Sequence, residues 1–193
     1  MQSILTTALM AFFVLTGAAT AESSRILVKI SPVDAVPNEY IEAYSVKLTG
    51  YNAVPEQTDS DPMTTASGAY SNPEIIAARS VDLKGTLPFG TVIEFVIPES
   101  SRAPCGLSSV EHLVGLRVVA DSMHPRKRNQ IDILFDGNDT VRLGGKDKNP
   151  AVVLGVCKDI EIRVVGKIDV RNMPKNQTEL AIQMNDAALA VNE

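Results

Sequence analysis

The chain has 193 residues, 45% hydrophobic and 21% charged, which suits one folded domain with tails and argues against wholesale disorder. With 18 basic against 23 acidic residues the net charge is −5, which argues against a general nucleic-acid binder. Trp is absent and aromatics reach only 5%, so a sugar groove built on tryptophan platforms is excluded.

The first 21 residues read as a secretory signal peptide. Residues 4–17 are almost wholly apolar or small, no charged side chain precedes Glu22, and Ala19-Thr20-Ala21 has the small-x-small form of a cleavage site. The stretch before the apolar run carries no Lys or Arg, so the alternative is an uncleaved anchor, for which the run is short. On the first reading the mature chain begins at Glu22. It then works outside the cytoplasm, with no membrane contact after cleavage.

Residues 22–43 are expected as an N-terminal extension containing an alternating run at 25–30. A barrel domain is expected over 44–170. Tyr44, Val46 and Leu48 alternate with Ser45, Lys47 and Thr49, a period of two that predicts a half-buried strand. Residues 72–79 are expected as a short helix. The β-branched and aromatic run 91–97 predicts a strand, followed by a loop insertion over 98–115 that carries Cys105 and His112. Further strands are expected at 116–120, 130–135 and 160–165, with a short helix at 149–154 stopped by Gly155. Beyond Arg171 the chain changes character, and 179–191 forms either a loose terminal helix or a frayed tail. Gly, Pro, Asn and Asp clusters punctuate the strands, so the fold class is mainly β, a small barrel with one or two short helices.

Cys105 and Cys157 are the two cysteines. Export to an oxidising compartment favours a disulfide; two buried thiols are the alternative. His112 and His124 are not at ligand spacing, so no metal site and no cofactor are expected. Gly144-Gly145 and the 136–139 segment read as turns.

The acidic residues carry the candidate chemistry. Asp121 closes one apolar strand, and Asp132 lies inside the next, between Ile131 and Ile133. Two readings stay open for Asp132. It is a solvated side chain on the outer face, or it points inward. Inward, desolvation and the nearby Asp121 would raise its pKa and keep a proton on it for general-acid work. His124, Arg126, Lys127 and Arg128 make a basic cluster, read as either a solvated hairpin or a contact for substrate carboxylates.

Thr49-Gly50-Tyr51, Thr65-Ala66-Ser67-Gly68, Asp82 followed by Leu87-Pro88-Phe89-Gly90-Thr91, and Asp121 followed eleven residues later by Ile131-Asp132 occur in that order. This series resembles the 3D domain, a family named for three aspartates, over about residues 46–166. Met123 and His124 stand where the commoner family form has a Gly pair, and Asp82 is followed by Leu83 rather than Pro. Asp82 also reads as a simple turn residue leading into a strand.

The resemblance implies a six-stranded double-psi β-barrel, similar to that of membrane-bound lytic transglycosylase A and rare lipoprotein A. It implies cleavage of peptidoglycan glycan strands, with Asp132 as acid and base, and Asp121 and Asp82 as its companions. The C6 hydroxyl of the muramoyl residue would attack the anomeric carbon to close a 1,6-anhydro ring. Tyr51, Thr64 and Thr65 would line the groove, with Arg126 and Lys127 near the peptide stems. The alternatives are a non-catalytic barrel that binds peptidoglycan or a partner protein, and an exported structural protein.

Overall fold

The computed structural model describes residues 42–96 and 105–190. The expected signal peptide, the 25–30 run and residues 98–104 of the loop insertion lie outside the described residues. The strands are β1 (Ala43–Asn52), β2 (Ile76–Arg79), β3 (Thr91–Val96), β4 (Arg117–Ser122), β5 (Gln130–Phe135), β6 (Val141–Leu143), β7 (Lys146–Lys148) and β8 (Cys157–Lys167). The helices are α1 (Leu107–Val110), α2 (Pro150–Leu154) and α3 (Gln177–Ala190), with 3-10 turns at Val81–Lys84 and Glu111–Leu113.

Six strands close into a barrel in the order β1-β5-β2-β4-β3-β8, and β6 and β7 form a separate hairpin. Two neighbouring pairs, β1 with β5 and β2 with β4, run parallel, and the other four contacts are antiparallel. A closed barrel leaves no sheet edge to template aggregation. The expected mainly-β barrel is therefore what forms.

Alternation along the strands divides the buried side chains into two clusters. Val46, Leu48, Ala77, Ile93, Val119, Ile131, Ile133, Ile160 and Ile162 form one, joined by Leu107 of α1 and Leu154 of α2. Tyr51, Ile76, Ala78, Val92, Val118, Ala120 and Leu134 form the other, joined by Leu180 and Met184 of α3. The strands thus have apolar cover on both faces, which is why several of them read as continuous apolar runs rather than as clean alternation.

The segment 72–79 is not a helix. The Asn72 carboxamide accepts the Glu74 N–H at 3.1 Å, making an Asx turn, and Ile76–Arg79 then runs as β2 with all four residues buried between β4 and β5. A short strand covered on both sides loses the alternation that marks strands in sequence.

The expected α2 does form. Asn149 caps it by accepting the Ala151 N–H at 2.9 Å, Pro150 opens it, and Gly155 closes it at φ 63°. Gly50 on β1 is what lets α2 lie so close. A β-carbon there would fall 2.7 Å from the Phe135 ring and 3.0 Å from the Ala151 Cα.

Of the two readings of the tail, the helix holds. The Asn176 side chain accepts the Glu179 N–H at 2.9 Å, and Glu179 returns to the Lys175 N–H at 2.8 Å. Leu180 and Met184, one turn apart, then bury against the barrel.

Two covalent and polar fastenings fix the long connection between β3 and β4. Cys105 and Cys157 form a disulfide with Cα atoms 5.3 Å apart, closing a separation of 52 residues. In the chain-entropy view such a link is worth about 4 kcal/mol. Arg117 is fully buried, and its guanidinium donates to the carbonyls of Val114 (2.6 Å), Pro73 (2.5 Å), Leu134 (3.3 Å) and Leu113. Burial lowers its pKa to about 9, so it stays cationic at neutral pH.

Candidate functional site

One row of residues crosses four adjacent strands. Thr49 of β1 pairs with Asp132 of β5, Asp132 with Ala78 of β2, and Ala78 with Asp121 of β4. The two carboxylate-bearing residues therefore flank a single alanine. At strand spacing their Cα atoms are about 10 Å apart.

A bulge makes this row possible. Ala77 pairs with Val119, but Ala78 pairs with Asp121, so Ala120 is an extra residue on β4. In unbroken register Ala78 would face Ala120, and Asp121 would turn to the opposite side of the sheet. The bulge sends it to the same side as Tyr51, whose hydroxyl donates to Asp121 Oδ2 at 2.8 Å.

Asp132 shares its face of β5 with Gln130 and Leu134, opposite Ile131 and Ile133. It is only partly exposed and lines a cleft of about 520 Å³. Burial lifts its carboxyl from the ordinary 3.8 to about 6. The hydrogen bond from Thr49 and the charge of Lys127 pull the other way, and Asp121 adds a smaller push upward. Of the two sequence readings, the desolvated carboxyl is the one this geometry matches.

Asp121 is held by three donors: Tyr51, the Ala66 N–H at 2.9 Å and the Ser122 N–H at 2.8 Å. The Thr65-Ala66-Ser67-Gly68 segment explains itself here. It is a turn closed by Gly68 N–H to Thr65 carbonyl (2.8 Å), aiming Ala66 N–H at Asp121 while Ser67 N–H reaches the bulged Ala120 carbonyl at 3.0 Å. Burial first, then Asp121, push the Tyr51 phenol well above its usual 10. Its hydroxyl is a fixed donor to Asp121.

The remaining sequence candidates divide. Thr64 and Lys127 line the cleft with Tyr51, Asp121 and Asp132. Thr65, Arg126 and Asp82 are not among its lining residues. Thr65 is buried and donates to the Ala69 carbonyl at 3.0 Å. Arg126 is exposed in the turn between β4 and β5.

Asp82 is exposed on the 3-10 turn Val81–Lys84, where it accepts the Asn129 N–H at 2.9 Å. Desolvation, the largest single influence, pushes its carboxyl up. Hydrogen bonds from Ser80, Asn129 and its own N–H, with the charge of Arg128, outweigh that and hold it below the usual value. It behaves as the turn residue of the alternative reading. The Leu87-Pro88-Phe89-Gly90-Thr91 segment is likewise a packing corner. Leu87 is fully buried, Thr91 donates to the Pro88 carbonyl at 2.7 Å, and Gly90 stands at φ 90° against the Ile168 carbonyl.

Sequence reasoning gave no role in the site to two residues, although Thr49 opens the Thr49-Gly50-Tyr51 motif. The Thr49 hydroxyl donates to Asp132 Oδ1 at 2.7 Å, and the Gln130 amide donates to Thr49 Oγ1 at 2.8 Å. Gln130 stands two places before Asp132, so the period of two already put them on one face. What sequence lacked was the parallel pairing that brings Thr49 alongside.

The lips of the cleft differ in charge, with Glu56 and Asp59 on one segment and Lys127 on another. Met123 and His124 line the cleft without filling it. Among the described residues no three His, Cys, Asp or Glu side chains cluster closely enough to hold a metal ion. Comparison with protein-family models finds no match to this chain, and a search of curated proteins finds none either.

Proposed function

We propose that the chain is an exported bacterial cell-wall protein of the 3D-domain type that cleaves peptidoglycan glycan strands as a lytic transglycosylase does. The observation that carries this reading is the Asp132 carboxyl. It lies in a cleft, desolvated to a pKa of about 6, in one row with Asp121. The ordered motifs of the sequence, and a closed barrel whose parallel pairs suit a double-psi topology, support it.

In this reading protonated Asp132 gives its proton to the glycosidic oxygen as the bond to the anomeric carbon breaks. The resulting carboxylate then takes the proton of the muramoyl C6 hydroxyl as that oxygen closes the anhydro ring. The nucleophile belongs to the substrate, and intramolecular attack has a large entropic advantage. No second carboxylate is needed as nucleophile, in keeping with Asp121 being occupied by three donors. In this reading Lys127, which lines the cleft, meets carboxylates of the peptide stems.

The test is a digest of purified sacculi with the mature protein, with Asp132→Asn alongside and products identified by mass. Anhydro-muramoyl ends from the wild type alone support the proposal. Reducing ends mean hydrolysis by water. No products, with both proteins still pelleting with sacculi, identify a binding barrel instead.

A further inference from the structure

Asp132 has two oxygens with different surroundings. Oδ1 accepts the Thr49 hydroxyl at 2.7 Å, whereas no donor among the described residues reaches Oδ2. A threonine hydroxyl has one proton and can accept as well as donate. Its direction is therefore set by its other neighbour, the Gln130 amide, which donates to Thr49 Oγ1 at 2.8 Å. Gln130 is buried at the start of β5 and shares its strand face with Asp132. With the amide donating, the hydroxyl has its own proton free to send to Oδ1.

We infer that Gln130 is a positioning residue for Asp132, fixing the Thr49 hydroxyl as a donor to Oδ1 so that Oδ2 is the oxygen that carries and delivers the proton. A carboxyl oxygen that already accepts a hydrogen bond is the poorer site for a proton. The acid form then keeps its O–H on Oδ2, the oxygen that accepts no hydrogen bond from the described residues. After delivery the carboxylate takes a proton back on the same atom, so one oxygen serves both halves of an acid–base cycle. The chain Gln130–Thr49–Asp132 also opposes the desolvation of Asp132, because Thr49 stabilises the charged form.

The inference rests on the acid–base role proposed for Asp132, but its measurement needs no substrate. The titratable groups that share the cleft are Tyr51 on β1, Asp121 on β4, His124 and Lys127 between β4 and β5, and Glu56 and Asp59 beyond β1; β2 contributes only the neutral Ala78. A carboxyl-carbon NMR titration of the whole protein reads Asp132 directly, its signal assigned by its loss in Asp132→Asn.

Thr49→Val is expected to raise the Asp132 midpoint by roughly one pH unit, and Thr49→Ser to leave it near the wild-type value. Gln130→Met is expected to raise it by less, and to add nothing in the Thr49→Val background, because both act through one bond. An unchanged midpoint in Gln130→Met, or additive shifts in the double variant, overturns the inference. If Thr49→Val does not fold, two readings remain. Gln130→Met leaves both partners of the Thr49–Asp132 bond in place, and the Thr49 hydroxyl proton of the wild type should exchange slowly enough to be seen. A rapidly exchanging Thr49 hydroxyl again overturns it. Coupled titrations without glycan cleavage would defeat the transglycosylase reading and leave the relay standing. Cleavage without coupling would do the reverse.

Discussion

The strand ends around Asp121 and the middle of β5 around Asp132 treat the same chemical group in opposite ways. At the end of β4 the carboxylate takes three donors, two of them backbone N–H groups, and so ties the 65–69 turn to the barrel. On β5 the carboxyl receives one donor, and burial lifts it to about 6. A saturated acceptor holds structure together, whereas an under-served one keeps chemistry available. The two lie either side of Ala78, so their division of labour follows from hydrogen bonding rather than from distance.

The sharpest way to break this contrast is Asp132→Asn. Glycan cleavage should fall by about 10²–10⁴-fold, the usual worth of a general acid–base group. Release of anhydro-muramoyl products, measured beside a denaturation curve, separates that loss from unfolding.

The next effect is on pH. The folded value of about 6 lies above the ordinary 3.8, so between those values the folded state holds the proton more tightly. Stability should therefore be fullest below about pH 4 and fall as pH rises toward 6, by at most about 3 kcal/mol. Denaturation at pH 4 and pH 7 should show Asp132→Asn without this decline, more stable than wild type at the higher pH. Cleavage by the protonated acid should fade as pH rises past about 6.

Asp121→Ala tests the other side. It strands a buried phenol and two N–H groups, and should cost about 2 kcal/mol in a urea melt. Smallest is Tyr51→Phe, which removes one of the three donors to Asp121. About 1 kcal/mol of stability should be lost, with cleavage retained. If Tyr51→Phe instead abolished cleavage at unchanged stability, the phenol would belong to the chemistry and Asp121 would not be a purely structural acceptor.

Much of this was legible in sequence. The alternation from Tyr44 to Thr49 fixed the face of β1, the boundaries of β5 matched the apolar run 130–135, and Asn149 with Gly155 marked both ends of α2. The disulfide followed from the two cysteines and the expected export, and the structure supplies the geometry. Asp132 inside an apolar strand was conspicuous for a physical reason, since an ionisable group there carries a desolvation cost.

The strand β2 was not legible. Ile-Ala-Ala-Arg is short, buried on both faces and built on alanine, so no local pattern separates it from a helical turn. The roles of Thr49 and Gln130 were not legible, because they exist only once β1 lies parallel to β5. Asp82 shows the converse. A residue that counts toward a motif in sequence is placed by the fold on an exposed turn and is not among the residues that line the cleft with the other two aspartates.

The extra residue on β4 has a consequence for how such a site is gained or lost. Removing the single codon for Ala120 would leave every charge, hydroxyl and amide of the cleft in the polypeptide. It would leave Asp121 opposite Ala78 in unbroken register, still on the side of Tyr51, but take away the bulged Ala120 carbonyl that accepts the Ser67 N–H at 3.0 Å. A lineage could thus loosen or tighten the 65–68 turn over the cleft by a change of frame-preserving length, with both aspartates still facing one side and no substitution at either of them.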